Sequence, residues 1–487
     1  MVLEEAWNLL PVKNNTTRRI LEILSSNHGL ILLRAPAGSG KTLTSLSYAI
    51  ASAINGKRMA LFFRTISQVD YALKTISSIL RDELQAKEKL RIAVVVGKVQ
   101  YCIKPPRDRA PFPRWCEYSN CELRKVKHGK FSFPDMSSSI RHIKNLCESM
   151  RVCPYYLSLM EAPKANLILA TQAFFINDNL FDKLGKVDDA IVDEAHGLLF
   201  LHFEIDHETY NRGRSLLGKE IGKLSVDDAA VLSVYEDYVR SEGEEVVLKD
   251  KRIKILPPIR LVRKRLEKLR KLIMISATIY PTGLFKLIFA KDIDARIEVI
   301  PGLIRSTEKR KILGIAIRGL SSKHEQRTQR TYDMYARAIR YLINKYGKPA
   351  LILTPGYEFG KEIAKRLGVK VVRDPSEVRG DVVISVLRGR MSEGIDVELG
   401  EPVKLLVIAG LPYMPRTPEF IAIAKVYSRA YGVNFYELAR ALEEADMVNA
   451  VIQALGRIGR RKKGVGIILD ERVKKKKLGI SVKIDNI

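Results

Sequence analysis

Ala35-Pro36-Ala37-Gly38-Ser39-Gly40-Lys41-Thr42 combines the residue types needed to hold a chain of phosphates. Glycines let backbone N–H groups converge on phosphate oxygens, and a following helix adds the positive end of its dipole. Lys41 would reach the β- and γ-phosphates, and the Thr42 hydroxyl would ligate Mg²⁺. Ala35 stands where such loops usually open with Gly, and it belongs with Gly38, Ser39, Gly40, Lys41 and Thr42 in the expected nucleotide cradle. Asp193-Glu194-Ala195-His196 supplies the complementary acids. Asp193 would hold Mg²⁺ through water, and Glu194 would orient and deprotonate an attacking water. Near the C-terminus, Gln453-Ala454-Leu455-Gly456-Arg457-Ile458-Gly459-Arg460 reads as a helix whose two guanidiniums, three residues apart, share a face. Arg460 suits a finger that stabilises charge on a transferring phosphoryl, with Arg457 sensing nucleotide and Gln453 touching nucleotide or water. These residues imply ATP hydrolysis with Mg²⁺.

Positioning such groups requires strands that end in loops. Leu30–Leu33 reads as an apolar strand before the glycine loop, and Thr42–Ala53 has helical spacing after it. Arg58–Phe63, Ile92–Val96, Asn166–Ala170, Asp189–Asp193 and Lys271–Ile275 continue a first strand series. Leu351–Thr354, Val369–Val372, Val382–Val386, Leu405–Ala409 and Val465–Leu469 make a second, interleaved with helical patterns such as Thr331–Tyr346. The class predicted is α/β, with two doubly wound parallel-sheet domains in tandem. Two stretches interrupt the first. From Gly97 to about Lys164, proline, aromatic and basic residues crowd in with all five cysteines, and from about Leu199 to Pro258 the pattern is charged and mostly helical. Cys102, Cys116, Cys121 and Cys153 follow a C-x13-C-x4-C-x31-C spacing that allows either a Cys₄ zinc or an iron–sulfur cluster, and Cys147 reads as a small buried hydrophobe.

At 487 residues the chain is too long for one ordinary core. Its 83 Lys and Arg against 55 Asp and Glu leave a formal charge of +28, which suits a polyanion such as nucleic acid, although a charge-rich surface of the thermophilic kind also draws on these residues. No apolar run approaches a membrane span and MVLEEAWNLL lacks a signal pattern, so an intracellular, cytoplasmic protein is expected, with no membrane partner.

Taken together the motifs resemble those of the XPD/DinG family of superfamily 2 iron–sulfur DNA helicases, nearest the archaeal XPD type. Ser276-Ala277-Thr278 is similar to the SAT motif and Arg64-Thr65-Ile66-Ser67-Gln68 to the DNA-contacting motif Ia. Leu387–Asp396 (LRGRMSEGID) is similar to motif V, and Gly410-Leu411-Pro412-Tyr413 to a signature before motif VI. GKVQYCIKP from Gly97 and Cys153-Pro154-Tyr155-Tyr156 resemble the entry to and exit from the family's cluster domain. The resemblance implies a [4Fe–4S] cluster on Cys102, Cys116, Cys121 and Cys153, and ATP-driven 5′-to-3′ movement on single-stranded DNA. Arg64, Thr65 and Gln68 in the first domain, with Arg388, Ser392 and Glu393 in the second, become the implied DNA contacts. Lys41, Asp193, Glu194, His196, Gln453, Arg457 and Arg460 become the catalytic set.

The same resemblance divides the chain into a first RecA-like domain (1–97, 164–198 and 263–300), a cluster insertion (98–163), a short helical arch-like insertion (199–262) and a second RecA-like domain (301–487). Single-stranded and forked DNA are its implied partners, with repair-complex proteins beyond them and a monomeric chain. Three departures stand out. The second insertion is short, Gly197 replaces the Asn common after DEAH, and no Gln precedes the glycine loop. A translocase that moves without separating duplex, an ATP-gated scaffold subunit and an RNA substrate are the rival expectations.

Overall fold

The computed structural model describes residues 2–485 apart from 82, 104–120, 125–138, 221–222, 303–309, 375–376, 390–401, 457, 459–462 and 476–480. Its first sheet is built where the sequence is most continuously apolar. Strands β1 (Leu30–Arg34), β2 (Met59–Phe63), β3 (Ile92–Val95), β4 (Leu167–Thr171) and β5 (Asp189–Asp193) are buried along nearly their whole length, as parallel strands covered on both faces must be. The chain then leaves this sheet to form β6 (His202–Asp206), β7 (Glu244–Val247) and β8 (Lys251–Ile255). It returns as β9 (Lys271–Ser276) and β10 (Ala295–Val299), completing seven parallel strands in the order β10-β1-β9-β5-β2-β4-β3.

A second parallel sheet follows: β11 (Arg310–Ile317), β12 (Ala350–Thr354), β13 (Val382–Val386), β14 (Leu405–Ala409), β15 (Gly464–Leu469) and β16 (Ser481–Asp485), ordered β13-β12-β14-β15-β11-β16. The two doubly wound sheets agree with the expected class. Strands β10, β11 and β16 have no counterpart in the expected series. β10 and β16 lie at sheet edges, and in β10 half-exposed side chains dilute the apolar signal. Val369–Val372 is not a strand. Only Val371 pairs there, as an isolated bridge to Ile384, because Gly368 turns the chain in the left-handed region just before it.

The second insertion is not mostly helical. The antiparallel β6-β8-β7 sheet shares it with helices His207–Ser215 and Val226–Arg240. The charged residues that suggested helix alternate with Val246, Ile253 and Ile255, which is a strand period. Ile205, Tyr235 and Tyr238 form this module's own small core. The module also leans on the second half of the chain. Tyr427, on the helix Pro418–Tyr431, accepts a hydrogen bond from Leu201 N (3.3 Å), and Lys251 reaches Glu419 (3.3 Å). Tyr431 accepts from Ile259 N (3.3 Å) and donates to Ile288 O (2.9 Å). Phe420, Ile423, Tyr427 and Tyr431 are thereby buried in the first core, each contributing about 1.5–3 kcal/mol of apolar burial. The helix ties the second half of the chain to the first core.

Cys102 caps the short helix Lys98–Tyr101, and Cys153 is the N-cap of Pro154–Glu161. Cys153 N donates to Leu123 O (2.9 Å), which brings the Cys121 segment beside it. Burial pushes the Cys153 thiol up, with a smaller push from Cys121. Cys116 lies outside the described residues, and among those described no three His, Cys, Asp or Glu side chains gather as a metal site. Cys147 is fully buried, as expected of an apolar filler. No described helix is long and apolar enough to cross a membrane.

Candidate active site

Parallel strands deliver their following loops to one edge, and five such loops build the site. After β1, Gly38 (φ 79°) and Gly40 (φ 86°) take left-handed backbone that only glycine adopts freely, and Lys41 opens the helix Lys41–Ile54. Ala35 is fully buried beneath this loop. Lys41 is buried and its ammonium donates to Pro36 O (3.3 Å), while the buried Ser39 Oγ has no partner. A buried hydroxyl beside a buried ammonium and two left-handed glycines is a cradle that fits an anion. The Thr42 hydroxyl donates to Asp193 Oδ2 (2.8 Å) across 151 residues of sequence. That hydroxyl and carboxylate are the oxygen pair a Mg²⁺-bound nucleotide needs.

Asp193 closes β5, and Glu194 follows in the left-handed region (φ 52°), which turns its carboxylate back over the sheet edge. Its Oε2 accepts from Ser276 Oγ (2.9 Å) and lies 3.1 Å from His196 Nδ1. Burial and the adjacent Glu194 charge push Asp193 up, and Lys41 only partly offsets them. Burial pushes Glu194 up as well, but His196, Lys41 and Ser276 together outweigh it and hold the carboxyl low. The neighbouring acids are thus separated, with Glu194 the one kept ionised.

His196 extends the site across the cleft. Its Nδ1 is 2.8 Å from Ser276 Oγ, and its Nε2 is 3.1 Å from Gln453 Nε2 and 3.5 Å from Arg64 Nη1. One side of the ring thus meets Ser276 and Glu194, and the other meets Gln453 and Arg64. The long helix Phe435–Leu455 carries Gln453 and ends with Gly456 as its C-cap. Arg457 and Arg460 lie outside the described residues. Gly456 sits against the glycine loop: a Cβ on it would be 3.7 Å from the Ala37 Cβ.

Arg64, Thr65 and Gln68 follow β2. Thr65 is the N-cap of the helix Ile66–Ile79 and forms a capping box with Gln68, so both side chains are engaged by backbone N–H groups. Arg64 runs over Gly197, where a Cβ would lie 3.6 Å from Arg64 Cδ and 3.1 Å from Gln172 Oε1. The missing side chain at 197 makes room for this arginine. Arg388 follows β13 and pairs with Asp446, whereas Ser392 and Glu393 lie outside the described residues.

The structure adds four residues to those legible in the motifs. Gln172, at the end of β4, donates to Asp193 O (2.7 Å) and Glu194 O (3.3 Å) and so braces the acidic loop. Asn449 accepts from the Thr278 hydroxyl (3.2 Å). Arg310 donates to Ile458 O (2.8 Å), and Asp446 faces Arg388. Asp446, Asn449 and Gln453 are a polar stripe at helical spacing among Met447, Val448, Val451 and Ile452, and that contrast was the available signal.

Asn14 caps the helix whose Thr17 packs against the glycine loop. Its Oδ1 accepts from Thr16 N (3.0 Å) and Thr17 N (3.1 Å), and the Thr17 methyl would be 3.1 Å from a Cβ on Gly40. No Gln stands before the glycine loop to read an adenine edge. ATP and GTP hydrolysis rates should therefore agree within about fivefold, less than the roughly 1 kcal/mol a hydrogen bond contributes. A strong ATP preference in steady-state phosphate release would contradict this.

A glycine loop, an acidic strand end and a glutamine-bearing helix meet between two RecA-like doubly wound sheets, the tandem arrangement of XPD structures. Family models agree at both ends: DEAD_2 matches residues 62–206 and the helicase C-terminal domain matches residues 332–483. The ATP-dependent DNA helicase XPD of Sulfolobus acidocaldarius is 28% identical over 186 residues, covering 37% of this chain and 31% of that one. The regulator of telomere elongation helicase 1 homolog of Caenorhabditis briggsae is 30% identical over 119 residues, covering 23% and 12%. The matched stretch is thus less than a third of either relative's own length. A solved XPD helicase superposes with a TM-score of 0.69 at 16% identity, covering 98% of this chain and 100% of that one. Xpd4 of S. tokodaii superposes at 0.59 and 13%, covering 96% and 99%. The chain is thus similar to helicases at both ends and to XPD structures in its fold.

Proposed function

We propose that this chain is an ATP-dependent DNA helicase of the XPD/DinG type, moving 5′ to 3′ on single-stranded DNA and separating duplex, with DNA repair as its setting. The observation that carries the reading is the path Glu194–Ser276–His196–Gln453, which joins the hydrolytic carboxylate of the first domain to the second domain through one imidazole. In this reading Lys41 and the loop N–H groups hold the β- and γ-phosphates, and Thr42 and Asp193 orient the Mg²⁺ that neutralises them. Glu194 takes the proton of the attacking water. Ser276 and His196 hold that carboxylate in place, and Gln453 reports cleft closure to it. Closure and reopening of the cleft would then hand a strand from Arg64 to Arg388.

A [4Fe–4S] cluster on Cys102, Cys116, Cys121 and Cys153 is part of this proposal. It rests on the cysteine pattern and the family, and when bound it would staple a segment poor in core residues. Trp115, Phe112 and Tyr118 of that segment would serve as a wedge at a fork or as its small core.

The reading is tested by anaerobic strand separation on 5′-tailed and 3′-tailed duplexes with ATP and Mg²⁺, with Lys41→Ala as the blank. Unwinding from the 5′ tail alone is expected. Unwinding from the 3′ tail alone would overturn the polarity. A second reading, translocation without unwinding, is favoured by the small second insertion, which is tied to the second domain through Lys251–Glu419 and Leu201–Tyr427. DNA-stimulated ATPase with no unwinding from either tail would select it.

A further inference from the structure

Arg388 is held in an unusual way. Its backbone lies in the left-handed region (φ 68°), which is unfavourable for a non-glycine residue and persists where surroundings impose it. Its Nη2 donates both to Pro412 O and to the Asp446 carboxylate, while its buried Nε has no hydrogen-bond partner. Asp446 is itself largely buried, with 13% of its side chain exposed. Burial pushes its carboxyl up, and the opposing positive influences are Arg388 first, then His196 and Arg64. One carboxylate therefore sits among the arginines that follow β2 and β13 and the histidine beside Glu194. On the same helix, three and seven residues on, Asn449 meets Thr278 and Gln453 meets His196.

We propose that Asp446 is a positioning residue that stands in for a DNA phosphate: it occupies Arg388 when no strand is bound, and a phosphate displaces it. This inference rests on the reading of Arg388 as a DNA contact. A half-buried arginine whose Nε is buried and unpartnered has donor capacity for a second anion, and a phosphate offers more acceptor positions than the single Asp446 oxygen now engaged. Freed from Arg388, Asp446 would draw on the remaining positive groups, Arg64 and His196. The Phe435–Leu455 helix would then shift its stripe against Thr278 and His196, which both touch Ser276 and through it Glu194. Strand binding and water activation become linked through one helix face.

The test is binding of a fluorescent single-stranded oligonucleotide by the full chain without nucleotide, for wild type, Asp446→Asn, Arg388→Met and the double variant. Asp446→Asn should bind about three- to tenfold more tightly, since a competing carboxylate has been removed. The gain should vanish in the Arg388→Met background, which a general change of surface charge would not produce. The ratio of DNA-stimulated to basal ATPase should fall at least about fivefold, as expected when a coupling of about 1 kcal/mol or more is cut. Asp446→Glu, which keeps the charge, should stay near wild type, and thermal unfolding of each variant checks the fold. Unchanged or weaker binding by Asp446→Asn, or an equal gain with Met at 388, overturns the proposal and leaves the helicase reading standing. A wild type that neither binds DNA nor is stimulated by it overturns both.

Discussion

Glu194→Gln should lower ATP turnover about 10³-fold while nucleotide affinity stays within about threefold, the signature of losing a general base and not a binding group. Gln has the same shape, so it can still accept from Ser276 Oγ (2.9 Å) and keep the left-handed turn at φ 52°. What it cannot do is take a proton. The carboxylate is held low in spite of its burial, by His196 together with Lys41 and Ser276, so it is ionised and ready at neutral pH. The measurement is steady-state phosphate release with saturating single-stranded DNA, beside equilibrium binding of a fluorescent nucleotide. Retention of a tenth or more of wild-type turnover would move the base elsewhere. Equal loss of affinity would make Glu194 part of the nucleotide cradle.

The second large effect is expected at Arg310, which no motif contains. This arginine opens β11, is only 7% exposed, and donates its Nε to Ile458 O (2.8 Å). Its guanidinium would lie 3.4–3.5 Å from a Cβ on Gly38, in contact with the glycine loop. It therefore clamps the segment leading to Arg460 onto the phosphate cradle. Arg310→Ala opens a cavity there and strands the Ile458 carbonyl, so kcat should fall about 10²-fold, the usual consequence of displacing a positioned group by about an ångström. Arg310→Lys restores charge without the planar fork and should recover only part of that loss. A KM effect with kcat unchanged would instead make Arg310 a simple phosphate-binding group.

These two residues differ in how they could have been found. Glu194 sits in a string whose strand, loop and acids are contiguous, and its partner loop at Lys41 is equally local. Arg310, Asp446 and Asn449 act through contacts with residues far away in sequence, and nothing beside them marks the role. The helix carrying Gln453 is a middle case. Its periodicity is legible, but that its C-cap Gly456 packs against Ala37 of the glycine loop is not. The second insertion shows the opposite failure. Its charges suggested a helical face, while Val246, Ile253 and Ile255 had to find a partner strand before their spacing meant sheet.

Sequence by itself determined the chemistry offered and the layers that carry it. Phosphate cradles, acidic strand ends and fully apolar parallel strands are written in stretches of five to ten residues, because backbone geometry and burial act over that range. Tertiary structure decided which groups work together. His196 and Gln453 are 257 residues apart and Thr278 and Asn449 are 171 apart, and each meeting depends on how two sheets and the contacts of Tyr427 and Tyr431 set the cleft. A hydrogen bond reaches about 3 Å, so such partnerships exist only once packing has fixed both sides of the cleft.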